Sequence, residues 1–265
     1  MESYDIIAAE VSKLQEKYFY INASGNSIHC KLYYVDRRAV KRVVLCAHGF
    51  SGHMDNRAVA RFADYVLKKH KDVAVVIYNA PGHGDDVKKK LMLADCDAYI
   101  TQVTAYIRES FKPEQLFVYA NSFGGYQILK YIAEHGDPFD KVALRCPAVN
   151  MYQVMTERIA SPAEKKALAR NKPIEVGFDR KIKITRSFLE ELEAADITTW
   201  DFRPYAEDIL IFHGTKDEIV PYAAAAAFAE KNGIRFVPVE NADHRFVDPL
   251  KMDFVIKQIT AFFGM

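Results

Sequence analysis

Short runs of consecutive β-branched and aliphatic residues alternate with amphipathic helical patterns along most of the chain. The runs are RVVLCAH at 42–48, VAVVIYN at 73–79, QLFVYA at 115–120, KVALRC at 141–146, DILIFHG at 208–214 and IRFVPVE at 234–240. Helical periodicity fills the stretches near 56–70, 93–111, 124–135, 221–232 and 248–263. A strand that is apolar on both faces must be covered on both faces, and helices inserted between such strands supply the cover. The pattern therefore predicts an α/β fold with a mostly parallel central sheet and helices on each side. Right-handed crossovers bring every strand's carboxyl end to one edge, where the following loops can gather reactive side chains.

Two segments depart from this rhythm. KYFYINASGNSIHCKLYYV at 17–35 alternates polar and apolar residues around Ser24-Gly25-Asn26 and reads as an antiparallel hairpin on the edge of the sheet. Residues 3–17 read as an amphipathic helix with Ile6, Ile7, Val11 and Leu14 on one side. The stretch 147–204 interrupts the alternation with two or three helical pieces and one hairpin-like piece, between two core strands. It is expected to be an inserted cap over the loop edge, with 1–146 and 205–265 forming the core.

Half of the 265 residues are hydrophobic, and a chain of this length buries about 75% of its unfolded surface without staples. With 36 Lys and Arg against 35 Asp and Glu, a formal charge of +1 supplies no overall field for nucleic acid or an anionic membrane. Lys88-Lys89-Lys90 reads as solvated surface. The cysteines Cys30, Cys46, Cys96 and Cys146 are widely spaced and read as small buried hydrophobes, not as disulfides or zinc ligands. The first residues lack a long apolar core, and no apolar run approaches a membrane span. The expectation is a soluble, cytosolic protein with a small-molecule partner.

The loops after the strands carry the chemistry. Ser122 follows QLFVYA directly and precedes the helical GYQILKYIAEH, the strand–turn–helix setting of a nucleophile elbow. In A-N-S-F-G, Ala120 stands where glycine is usual, one methyl larger, while Gly124 and Gly125 keep the helix side open. Serine needs a general base within hydrogen-bond reach, itself oriented by a carboxylate. LIFHGTKDEIVP places Asp217 just beyond one strand, and VPVENADHRF places His244 just beyond the next. Glu218 and Asp243 are neighbouring carboxylates that rival Asp217 for the acid. Oxyanion donors are expected from the backbone N–H groups of Phe123, at the start of a helix, and Phe50, in the loop AHGFSGH. His48 and Gly49 then shape the turn and carry no proton. YNAPGHGDD at 78–86 makes a third loop at this edge, where His83 is expected to form structural hydrogen bonds. The zinc spacing H-E-x-x-H and the glycine-rich nucleotide loops are missing from the sequence, so neither a metal nor an organic cofactor is expected.

HGF at 48–50, PGHG at 81–84, A-N-S-F-G-G at 120–125, HGTKDEIVP at 213–221 and ADH at 242–244 occur in one order. This set resembles the α/β-hydrolase superfamily, and within it the serine aminopeptidase and monoacylglycerol-lipase-like branch that includes bacterial feruloyl esterases. The resemblance implies Ser122 as nucleophile, His244 as base, Asp217 as orienting acid and 147–204 as a variable cap that selects the substrate. Ala120-Asn121 stands where that branch commonly has Gly-His, and Asp85-Asp86 follows GHG where a serine often stands nearby. The expected activity is hydrolysis of a carboxylic ester of short-chain, aryl or hydroxycinnamoyl type. Met151, Tyr152, Met155 and Trp200 are candidate substrate contacts, from an apolar set that also holds Ile159, Phe178, Phe188 and Leu189. Two other readings stay open: an aminopeptidase or amidase holding an α-amino group with a cap glutamate, and a hydrolase fold kept as a binding module. A homo-oligomer is compatible with an amphipathic N-terminal helix.

Overall fold

The structure is a computed structural model that describes residues 13–86, 90–178 and 180–265. Its backbone begins with a hairpin, β1 (Gln15–Ala23) and β2 (Asn26–Tyr34), followed by β3 (Arg42–Ala47), α1 (Arg57–Lys69), β4 (Val73–Tyr78) and α2 (Leu93–Phe111). Next come β5 (Gln115–Asn121), α3 (Phe123–His135) and β6 (Lys141–Arg145). The interruption holds α4 (Met151–Gln153), α5 (Pro162–Ala169), β7 (Ile174–Val176), β8 (Ile182–Ile184) and α6 (Arg186–Ala194). The alternation resumes with β9 (Ile209–Gly214), α7 (Tyr222–Asn232), β10 (Arg235–Val239) and α8 (Pro249–Phe262).

Eight strands form one sheet in the order β1-β2-β4-β3-β5-β6-β9-β10. β1 and β2 pair antiparallel, β2 meets β4 antiparallel, and the remaining neighbours are parallel. The hairpin turn is a two-residue loop with φ of +48° at Ser24 and +77° at Gly25, the backbone twist that tight hairpins favour and glycine adopts without strain. Pairing runs the full length of the hairpin, Gln15↔Tyr34 to Ala23↔Asn26. This corrects the expected end of the N-terminal helix: Gln15, Glu16 and Lys17 are strand residues, because β2 offers them a complete ladder partner. Residues 3–12 of that helix, and Lys88 and Lys89, lie outside the described residues.

Strand side chains divide between two cores. Val43, Leu45 and Ala47 of β3 join one cluster, with Tyr99 and Ile100 of α2 and Leu129 and Ile132 of α3. Val44 and Cys46 point the other way, into a cluster with Phe62 and Val66 of α1 and Val255 and Ile259 of α8. The period-two alternation of a strand thus feeds two helix layers, which is why the runs are apolar throughout. All four cysteines are buried and free. Among the described residues, no helix is long and apolar enough to cross a membrane.

Between β6 and β9 the chain leaves the sheet. α4 continues into a π-helical turn at Val154–Ile159, closed by the Ala160 N–H donating to the Met155 carbonyl five residues back at 2.9 Å. Ser161 caps α5 and exchanges hydrogen bonds with Glu164, with Pro162 in the first turn. β7 and β8 form a separate antiparallel pair, and α6 buries Phe188 and Leu192 in the larger core. The Tyr126 hydroxyl of α3 donates to the Ala195 carbonyl at 2.9 Å and ties this segment to the sheet's helix layer.

Phe117 of β5 is fully buried and stacks on Phe263 with centroids 4.7 Å apart and planes 5° from parallel. Phe117→Ala removes that stack and leaves a cavity under α8, so it should lower the unfolding free energy by about 3–5 kcal/mol. Equilibrium denaturation in urea checks this through the shift in midpoint at unchanged slope.

Candidate active site

β3 lies at the centre of the sheet, with β4 on one side and β5 on the other, so the chain winds outward in both directions from it. The gap at the carboxyl ends of β3 and β5 is the switch point where ligands collect in open α/β sheets. Ser122 sits there, between β5 and α3, with φ +52° and ψ −121°. A side-chain-bearing residue in this region stores about 1–3 kcal/mol of strain. Hydrogen bonds on both sides hold it: its N–H donates to the Arg145 carbonyl at 3.0 Å, and its carbonyl accepts from Tyr126 and Ala148, each at 3.1 Å. α3 starts hard against β3. A Cβ on Gly124 would lie 2.5 Å from the Ala47 carbonyl oxygen and 2.7 Å from that of His48, so only glycine fits. The Ala120 methyl is buried in the larger core, in register with Ala47 and Leu144.

The loops after β9 and β10 complete the cluster. His244 Nδ1 is 2.7 Å from Asp217 Oδ2, and His244 Nε2 is 3.1 Å from Ser122 Oγ. Of the three carboxylates weighed from sequence, Asp217 is the one facing the imidazole. Glu218 Oε2 accepts the His244 backbone N–H at 3.4 Å, and Asp243 Oδ1 accepts the Val247 N–H at 3.1 Å. Asp217 Oδ1 accepts the Ile219 and Val220 amides at 2.9 and 2.8 Å, while His213 Nε2 stands 3.3 Å from Oδ2. Burial works to raise the Asp217 pKa, but hydrogen bonds from His213 and His244 outweigh it and hold the carboxyl well below the usual carboxylate range. His213 was not expected at the site. Its Nε2 faces two acceptors, Asp217 and the Val220 carbonyl at 3.1 Å, so that nitrogen carries the proton.

Opposite Ser122 runs the loop after β3. A Cβ on Gly49 would be 2.9 Å from Asn121 Nδ2 and 3.2 Å from Ser122 Cβ, so this backbone passes directly over the elbow. The Phe50 and Phe123 rings meet edge to face at 6.1 Å beneath it, and Phe123 is the first residue of α3, whose N–H has no partner within the helix. His48 Nδ1 is 2.8 Å from the Gly49 carbonyl, and its Nε2 accepts the Ala80 N–H at 3.1 Å, which fixes a neutral ring. Burial, then the neighbouring His83 and His53, lowers its pKa to about 3. His83 is fully buried against Phe50 and Phe123 and bonds the Pro81 carbonyl through Nδ1 at 2.8 Å, with its pKa lowered by burial to about 4. Both rings are turn formers in this geometry.

A cavity of about 1290 Å³ opens onto Ser122 and His244. Of the four candidate substrate contacts, Met151 lines it. Met155 is fully buried in the core, and Tyr152 and Trp200 pack against that core, so the structure does not bring these three to the cavity. In the π-helical turn that follows α4, Val154 and Ile159 line the cavity while Met155 turns into the core. Phe178 reaches the rim from the β7–β8 turn, where its N–H donates to Ser51 Oγ at 2.9 Å and the Arg245 guanidinium lies 5.6 Å from its ring centre. Arg145, at the end of β6, also lines the cavity; the one sequence signal for it is a charge closing an apolar run.

Residues 38–187 match the family described as serine aminopeptidase, S33. The chain belongs to this family. The fold is that of the α/β-hydrolases, as solved structures also show. Est1E from Butyrivibrio proteoclasticus, with ferulic acid bound, superposes with a TM-score of 0.74 at 19% identity, covering 93% of this chain and 100% of that one. Alpha/beta hydrolase domain-containing protein 10 from mouse gives 0.69 at 15% identity over 94% and 98% of the two chains. The esterase domain of a Rhodothermus marinus protein gives 0.65 at 18% identity over 94% and 97%. A comparison with curated proteins finds no match. For this S33-family chain, membership and fold agree with a hydrolase built on the sheet described above.

Two outcomes follow from the packing at this edge. Gly124→Ala forces α3 away from β3 and should cost about 1–3 kcal/mol of stability, read from the denaturant midpoint. His48 and His83 stay neutral in the folded protein while the unfolded chain protonates them near 6.5. The unfolded state therefore binds more protons below that pH, and stability should fall as pH drops from about 6.5 toward 4. His83→Leu should flatten this slope in unfolding curves measured across the window.

Proposed function

We propose that the protein is a serine hydrolase that cleaves carboxylic esters through an acyl-enzyme on Ser122. The observation that carries this reading is the double engagement of one imidazole, with Nδ1 on Asp217 and Nε2 on Ser122 Oγ. An Nδ1–H directed at a carboxylate leaves a lone pair on Nε2, the tautomer a general base requires.

In the proposed reaction, Ser122 Oγ attacks the ester carbonyl while His244 Nε2 takes its proton. The carbonyl π electrons move to oxygen, and the new oxyanion accepts hydrogen bonds from the Phe50 and Phe123 amides. Such a donor is worth about 3 kcal/mol in the transition state. Collapse of the tetrahedral species breaks the C–O bond, and His244 returns the proton to the departing alkoxide. Water then enters, loses a proton to His244 and attacks the acyl carbon; collapse releases the carboxylic acid and reprotonates Ser122. Asp217 stays ionised throughout, held by its four donors, and stabilises the imidazolium that forms twice.

Residues 147–204 act as a cap in this reading, with Met151, Val154, Ile159 and Phe178 giving an apolar wall for the acyl or alcohol group. Short-chain, aryl and hydroxycinnamoyl esters suit such a wall, and the ferulic acid held by the similar Est1E supports the aromatic option. The family's description keeps an aminopeptidase reading in view. Against it, Glu157, Glu164, Glu175, Glu190, Glu191 and Glu193, the candidate anchors for an α-amino group, do not line the cavity. Glu164 caps α5 and Glu191 accepts the Leu93 amide.

A fluorophosphonate probe should label the purified protein, and Ser122→Ala should abolish labelling; labelling that survives would remove Ser122 from its role. Turnover of aryl acetates should exceed that of aminoacyl anilides by about 100-fold or more, since none of those six glutamates reaches the cavity to position the anilide's amine. The reverse order would favour the aminopeptidase.

A further inference from the structure

Arg145 is an expensive residue in its position. It is 4% exposed, and moving a guanidinium out of water is costly unless its surroundings compensate. Among the described residues no carboxylate lies within ion-pair distance of it; Asp217 acts on it only through space. Its near contacts converge on two places. Nη1 donates to the His244 carbonyl at 2.7 Å, and the guanidinium lies 5.2 Å from the Phe246 ring centre. Nε points at the Tyr119 hydroxyl of β5 at 3.4 Å.

The side chain of His244 is held by Asp217 and Ser122, and Arg145 acts on the backbone of the same loop. Phe246 has φ +55°, a strained value for a bulky residue, and is buried. The backbone amides of the turn make bonds of 3.1 Å or more: Phe246 N–H to the Asp243 carbonyl at 3.3 Å, Val247 N–H to Asp243 Oδ1 at 3.1 Å and His244 N–H to Glu218 at 3.4 Å. Among the described residues, the bond from Arg145, at 2.7 Å, is the shortest one made to the backbone between Asp243 and Val247. It is charge-assisted, and such bonds are about twice as strong as neutral ones. Arg145 is also anchored to the elbow, because its own carbonyl accepts the Ser122 N–H at 3.0 Å. One residue therefore ties the backbone of Ser122 to the backbone of His244.

We propose that Arg145 is a positioning residue that sets the Ser122–His244 distance, gripping the elbow with its main chain and the histidine loop with its guanidinium. This rests on the triad reading above. It explains why a buried cation stands where an apolar side chain would pack more cheaply. A displacement of His244 by about 1 Å is enough to cost 100-fold in rate.

Arg145→Met keeps the length and the packing under Phe246 and removes the donors; Arg145→Lys restores one charged donor. In aryl acetate hydrolysis, Arg145→Met should lower kcat by about 10- to 100-fold with KM nearly unchanged, and Arg145→Lys should recover much of that loss. The thermal midpoint of Arg145→Met should stay at or above that of the wild type. Independently of turnover, the far-downfield proton resonance of His244 Nδ1–H should shift or broaden in Arg145→Met and return in Arg145→Lys. Wild-type kcat and an unshifted resonance in Arg145→Met would overturn the positioning role while leaving the triad standing. Should the methionine variant not fold, Arg145→Lys decides alone: a kcat below wild type at unchanged KM supports the role, and a wild-type kcat or a loss confined to KM overturns it. A wild-type protein that neither labels nor turns over esters sinks the triad reading instead, and the resonance still reports whether Arg145 fixes the ring.

Discussion

The turn at Ser122 is the constraint on which the other parts of the site depend. A positive φ at a serine is unfavourable, and the chain accepts it only because β5 must give way to α3 within one residue. That abruptness brings the helix start against β3, leaves room for glycine alone at position 124 and sets the Phe123 N–H free of helical partners. It also fixes where everything else has to come. The β3 loop passes over the turn at Gly49, and the loops from β9 and β10 bring Asp217 and His244 to the one exposed side.

The electrostatics around the turn are divided into charged and silent parts. Asp217 is shielded and anionic, with two backbone amides and two imidazoles directed at it, so it keeps its charge against the penalty of burial. His48 and His83, equally buried, lack such a partner and remain neutral. Three histidine environments in one small region thus follow from what each ring faces: a carboxylate for His244, a carbonyl and an amide for His48, and a carbonyl for His83.

Much of this was legible from residue order. The six apolar runs name six strands of the sheet, and Ser24-Gly25 announces the hairpin, because strand periodicity and turn chemistry are local properties. Ser122, Asp217 and His244 could be brought together for a related reason: each lies within about five residues of a strand's carboxyl end, so topology carries them to one edge. What stayed hidden depends on contacts between distant segments. The π-helical turn at Val154–Ile159 places Val154 and Ile159 on the cavity and Met155 in the core, and nothing in MYQVMTERIA reveals the extra residue in that turn. Arg145 and His213 look like ordinary ends of strands until the loops above them are placed. At the N-terminus, Glu16 and Lys17 fit a helical pattern locally, and a long partner strand overrides it.

The pairing of β6 with β9 has a further meaning. These strands are neighbours in register from Val142↔Ile209 to Arg145↔Phe212, although the whole segment 147–204 separates them in the chain. The entropy of closing such a loop rises only with the logarithm of its length, so doubling or halving the detour changes the cost by about 0.6 kcal/mol. The sheet is therefore nearly indifferent to what the detour contains. The segment beside the cavity can be lengthened, trimmed or replaced at little cost to the strands whose loops carry Ser122, Asp217 and His244.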